Sequence, residues 1–222
     1  MRAALLRNNL KTGQREPSLT RDDLRKKIYL RPQRTLIIFL VDSSDSMGEG
    51  TYARIKTAKG AVLAILAKAY QKRHRVGLVT FREESAEILL QPTSSLALAQ
   101  QKLKALPTGG ATPFAHGLMK AWRLIKTERL KYKGIRPLLV ILSDGEANVP
   151  YASGRKTSEI TAELFAIAEQ IGRDNITTIT IDSESLPKRS NTMNKIAELS
   201  FGVYHHISRL KIDGMVRLVA DF

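Results

Sequence analysis

Asp42, Ser44 and Ser46 place one carboxylate and two hydroxyls at alternate positions directly after the apolar run Leu36-Ile37-Ile38-Phe39-Leu40-Val41. All three donors are oxygens. Such a set suits a hard cation such as Mg²⁺ and fits zinc or copper poorly. Two further oxygen donors stand at comparable places. Thr112 closes the glycine-rich turn Pro107-Thr108-Gly109-Gly110-Ala111-Thr112-Pro113, and Asp144 follows the second strongly apolar run, Pro137-Leu138-Leu139-Val140-Ile141-Leu142. Converged in space, the five would give two carboxylates and three hydroxyls around one point.

The elements needed for that convergence are legible. Short runs rich in branched residues, apolar on both faces, read as buried strands at 35–41 and 138–142. Others are expected at 76–81, 86–90, 175–181 and 202–207, with the strand at 86–90 hairpinned to its predecessor across Arg82–Ser85. Helical spacing of apolar residues predicts helices over 52–72, 96–105, 114–131, 158–171, 191–199 and 212–221. Ser94 or Ser95 is suited to cap the second of these, and Pro113 fits the first turn of the third. Gly60 is expected to allow a close approach of the first helix to the sheet. Strands alternating with helices imply an α/β fold: a doubly wound, mostly parallel sheet flanked by helices, with one short antiparallel edge strand. Open sheets of this kind bind ligands beyond the carboxyl ends of their strands. Residues 42–46, 112 and 144 all belong to that face.

In this arrangement D-x-S-x-S, the Gly-Gly-x-Thr-Pro turn and Ser143-Asp144-Gly145 resemble the metal-ion-dependent adhesion site of von Willebrand factor A (integrin I-like) domains. The resemblance covers about residues 35–222. One branch is nearer. Ala58-Lys59-Gly60-Ala61-Val62, Arg75-Val76-Gly77-Leu78-Val79-Thr80-Phe81-Arg82, Leu106-Pro107-Thr108-Gly109-Gly110 and Ser143-Asp144-Gly145-Glu146-Ala147-Asn148 look like the C-terminal domain of magnesium chelatase D subunits. The resemblance implies that Ser44, Ser46 and Thr112 offer hydroxyls to Mg²⁺ or Mn²⁺. Asp42 and Asp144 then bind directly or through water, and a carboxylate of another protein takes the remaining position. It further implies a non-catalytic interaction module working with an AAA+ ATPase subunit and a large porphyrin-binding subunit in tetrapyrrole biosynthesis, in the cytoplasm or a plastid stroma. One residue departs from the pattern: Asp45 stands where the family usually has Gly. A third carboxylate there is expected to tighten divalent binding and weaken the pull on an incoming acid.

Several chemistries are excluded. The chain has no cysteine, so disulfides, thiolate metal sites and Cys nucleophiles are absent. There is no Walker A lysine motif, so this chain is not expected to hydrolyse ATP itself. Gly-x-Ser-x-Gly is missing. The D-x-D of haloacid dehalogenase phosphatases is broken by Ser44, which removes the general acid/base. Gly48-Glu49-Gly50-Thr51-Tyr52-Ala53 matches a dinucleotide fingerprint in letters but starts six residues after the strand rather than in the required tight turn. No apolar run reaches the roughly 20 residues of a membrane span.

The 222 residues carry a net charge of +15. Residues 1–34 hold ten Lys/Arg against three acids and read as a basic arm preceding the domain at 35–222. A solvated leader or an acidic protein partner is expected there rather than nucleic acid, because aromatic residues for base stacking are nearly absent. A nucleic-acid binder through that arm, and a partner of another MoxR-type ATPase, are the competing readings. Among the histidines, His74 is expected in a surface turn and His116 near the metal rim. Trp122 is expected in the core and Leu130 on the apolar side of the helix over 114–131, and His205 and His206 on opposite faces of a strand.

Overall fold

The computed structural model describes residues 35–44, 60, 63, 67, 71, 74–105, 109–152, 157–184 and 192–209. Six strands form one sheet: β1 (Thr35–Asp42), β2 (Arg75–Arg82), β3 (Ser85–Thr93), β4 (Arg136–Ser143), β5 (Thr177–Asp182) and β6 (Val203–His206). Their order is β3-β2-β1-β4-β5-β6. All neighbours run parallel except β2 and β3, which pair antiparallel at one edge. The helices are α1 (Leu96–Lys104), α2 (Phe114–Lys131), α3 (Thr157–Arg173) and α4 (Thr192–Leu199), and a 3₁₀ turn follows at Ile207–Arg209. Gly60, Leu63, Ala67 and Gln71 are helical. The expected helix over 212–221 lies outside the described residues, as do the basic arm, Asp45 and Ser46.

β1 is buried at every position, and it is central because strands flank it on both sides. Leu36, Ile38 and Leu40 join Val79, Phe81, Leu139 and Ile141 in a core shared with Phe114, Leu118 and Ile125 of α2 and with Leu164, Ala168 and Ile171 of α3. The alternate residues Ile37, Phe39 and Val41 are equally buried. A strand buried on both faces needs a continuous apolar run, which is why periodicity alone locates it.

The close helix–sheet approach occurs at Gly117, not at Gly60. A Cβ on Gly117 would stand 2.5 Å from Phe81 Cδ1 and 3.0 Å from Leu40 Cδ1, whereas one on Gly60 would meet nothing within 4 Å. Gly117 thereby seats α2 against the sheet beside the stacked rings of Phe81 and Phe114, whose centroids are 5.1 Å apart.

Three other expectations are corrected. Leu130, placed on the apolar side of α2 by its spacing, is 84% exposed, and buried Glu128 faces inward instead. Glu128 pairs with Arg75 of β2 at 3.2 Å and with Lys131 at 2.9 Å. A carboxylate in that position is tolerated because two cations pair with it; removing both would strand it. His74 is buried rather than in a surface turn, and its Nδ1 accepts the Thr35 backbone N–H at 3.3 Å. Trp122 is only partly buried, with its indole N–H donating to Asp174 Oδ2 at 2.7 Å.

Candidate metal centre

β1 ends at Asp42, which is completely buried. Its Oδ1 accepts the Ser44 backbone N–H at 3.0 Å and the Ser44 hydroxyl at 2.6 Å. Its Oδ2 accepts the Ser143 hydroxyl at 2.8 Å. The carboxylate is therefore held from the loop that follows β1 and from the adjacent strand β4. Thr112, also completely buried, donates its hydroxyl to Ser44 Oγ at 3.0 Å. Asp144 is the first residue beyond β4, and its Oδ1 accepts the Glu146 N–H at 3.0 Å, an Asx turn that fixes the side chain.

Four of the five expected donors thus lie on the carboxyl-end face of the sheet. Asp42, Ser44 and Thr112 are linked by hydrogen bonds, and Asp144 acts on Asp42 through its charge. Burial pushes the Asp42 carboxyl up to about 7 from its ordinary value of 3.8; the Ser44 hydroxyl pulls it back down, and the neighbouring Asp144 charge raises it further. A desolvated carboxylate beside a second one favours either a proton or a cation. The donors are hard oxygens, so Mg²⁺ or Mn²⁺ fits them. Among the described residues there is no group of three or more His, Cys, Asp or Glu suited to a metal. The set is two carboxylates with hydroxyls.

The supporting residues were the part that sequence reasoning missed. Ser43 lies between two donors but turns the other way. Its hydroxyl is 2.7 Å from Thr80 Oγ1, its N–H donates to Phe81 O, and its carbonyl accepts the Gly109 N–H at 2.8 Å. One residue thus ties the first loop to β2 and to the glycine turn. Asn148 clamps Thr112 from the other side: its Oδ1 accepts the Thr112 N–H at 2.7 Å, and its own N–H donates to Thr112 O at 3.2 Å. The alternation of Ser43 with the donors is visible in the sequence. The pairing of Asn148 with Thr112, 36 residues apart, is not.

Gly110 has φ +86°, and a Cβ there would come within 3.1 Å of the Glu83 backbone in the β2–β3 turn. Glycine is required by both conformation and space. His116, in the first turn of α2, has its Nε2 3.1 Å from Pro150 O and packs its ring on Tyr151 at 4.9 Å. Glu163 of α3 accepts the N–H groups of Tyr151 and Ala152. The loop after β4 is therefore anchored to both α2 and α3. Beside Asp144 it borders a groove of ≈ 270 Å³, walled on the other side by Thr161, Glu184 and Thr192.

Comparison with known proteins agrees with this geometry. Residues 37–146 match the model of the von Willebrand factor type A domain. The magnesium-chelatase 67 kDa subunit of Chlorobaculum parvum is 33% identical over 223 residues, covering 97% of this chain and 35% of that protein. The chain thus spans about a third of that relative's length. Among solved structures, the vWF domain of the type V pili tip protein Mfa5 from Porphyromonas gingivalis superposes with TM-score 0.68 at 14% identity, over 86% of this chain and 96% of that one. The manganese-loaded TRAP protein of Plasmodium vivax superposes with TM-score 0.62 at 13% identity, over 86% of this chain and 75% of that one. With its sheet order, its converging loops and its resemblance to chelatase subunits all in agreement, this chain belongs to the von Willebrand factor type A family.

Proposed function

We propose that the chain is a divalent-metal-dependent protein-interaction module of a magnesium chelatase-type assembly, working with an AAA+ ATPase subunit. The observation that carries this reading is the buried Asp42 carboxylate, held by Ser44 and Ser143 and raised toward neutrality by its surroundings and by Asp144. In this reading Asp42, Ser44, Ser46, Thr112 and Asp144 hold Mg²⁺ or Mn²⁺. The bound ion supplies Lewis acidity, with a coordination position for the carboxylate of a partner protein. Manganese in TRAP, a protein of the same fold, is in keeping with a hard cation. The chain's own residues then orient the site. Ser43 and Asn148 fix the two hydroxyl-bearing loops, and the groove beside Asp144 offers a partner segment a place to lie.

The chelatase setting is supported by the similarity to chelatase subunits along nearly the whole chain. A large porphyrin-binding subunit is the expected third component, and tetrapyrrole biosynthesis the expected pathway. The test is capture of a chelatase AAA+ subunit by the immobilised chain with Mg²⁺ and with EDTA. Capture that EDTA abolishes and Mg²⁺ restores supports the reading. Capture indifferent to EDTA, or none, contradicts it.

A further inference from the structure

Residues 114–136 carry seven Lys/Arg and a single acid, Glu128. That acid is turned inward, 2% exposed, and consumed by Arg75 and Lys131. What α2 shows to solvent is therefore almost purely cationic. Lys120, Arg123 and Lys126 follow one another at three-residue spacing along the outer stripe, and Lys133 and Arg136 continue it past the helix end, all exposed. Lys126 approaches Asp174 at 3.8 Å and lies over the Trp122 ring. Lys120, Arg123, Lys133 and Arg136 have no ion pair among the described residues.

A cationic helix face is ordinarily just solvated. Two features set this one apart. Leu130 is 84% exposed in the middle of the stripe. An apolar contact ringed by charge is the layout of a protein interface, with a small dry centre and a polar rim. The helix that carries the stripe also starts beside the metal centre: α2 begins two residues after Thr112, His116 of its first turn packs on the loop that follows Asp144, and Lys120 lies roughly 9 Å from that start.

We propose that the outer face of α2, from Lys120 to Arg136, is a docking surface for an acidic segment of a partner protein. The occupant is chosen by charge complementarity and by continuity with a site that takes a carboxylate; that second argument rests on the metal-centre reading above. Opposed charges steer the encounter and orient it, and Leu130 supplies the apolar contact. A nucleic acid fits less well. Phosphate contacts gain nothing from an exposed leucine, and single strands need a row of exposed aromatic rings that this face lacks.

The test uses fluorescent poly-glutamate and, separately, labelled duplex DNA as probes, read by anisotropy against the whole chain. The variant K120E/R123E reverses two charges on the stripe. The variant K102E/K104E makes the same change in net charge on α1, where both lysines are exposed. Poly-glutamate binding should fall about tenfold in the first variant and little in the second, and should weaken steeply with salt. A labelled glutamate–leucine copolymer should bind more tightly than poly-glutamate, and Leu130→Ser should remove that gain. Equal losses in the two charge variants would reduce the effect to net charge and overturn the proposal. So would duplex DNA binding more tightly than poly-glutamate through the same residues. Asp42→Asn separates this proposal from the metal reading: poly-glutamate binding on the stripe survives that change even if the metal centre is misassigned.

Discussion

The Thr112 hydroxyl donates to Ser44 Oγ at 3.0 Å across 68 residues of sequence. That bond joins the loop after β1 to the turn before α2, and Ser44 in turn donates to Asp42. Two hydroxyls and a carboxylate are thereby held in one chain of contacts before any ion arrives. Replacing Thr112 by Val keeps the volume and deletes the donor. The expected result is a loss of roughly tenfold to a hundredfold in Mg²⁺ affinity, with thermal stability lowered by only about 1 kcal/mol for the buried bond. Titration calorimetry and a melting curve on the same protein check both.

Asp42 makes stability depend on pH in an unusual direction for a carboxylate. Its folded value of about 7 lies above the ordinary 3.8. Between those values the folded chain keeps a proton that the unfolded chain has released, so metal-free stability falls as pH rises through that window and levels off above it. The contribution is roughly 4 kcal/mol at most. Asp42→Asn should flatten the profile and leave the metal-free protein more stable than wild type at about pH 8. Denaturant melts across the window, in EDTA, measure it; a wild-type profile that rises instead would contradict the assignment.

The same proton competes with the metal. Below about 7, Mg²⁺ affinity should drop by about tenfold for each unit of pH, because one proton must leave Asp42. Calorimetry in buffers of differing ionisation heat counts the protons released.

Glycines divide by the space around them. Gly110→Ala would press on the Glu83 backbone at a positive φ and displace the turn that carries Thr112, so weaker Mg²⁺ binding and a cost of about 1–3 kcal/mol are expected. Gly60→Ala meets nothing within 4 Å in a helix and should stabilise by roughly 0.5–1 kcal/mol. Paired melting curves of the two variants show whether they move in opposite directions.

Most of the fold was legible because the strands are buried on both faces. β1 and β4 needed only their apolar runs to be found, and α2 was bounded by Pro113 on one side and by β4 on the other. Asp42, Ser44, Thr112 and Asp144 were legible because each occupies a strand end or a helix start. What failed depended on neighbours remote in sequence. Leu130 has apolar character but is left exposed, while Arg75 from β2 holds Glu128 on the inner side of the helix. Gly60 and Gly117 look alike as letters, and only Phe81 and Leu40 tell them apart. Asn148 and Ser143 hold the site through bonds spanning 36 and 101 residues, which no local pattern records.

The most direct measurement of the central claim is calorimetric titration of Mg²⁺ into the wild-type chain and into Asp42→Asn at about pH 8, above the Asp42 folded value. The account predicts saturable binding of one ion per chain in the wild type and none in the variant, with the fold of the variant intact by circular dichroism. Equal binding by the two proteins would contradict it.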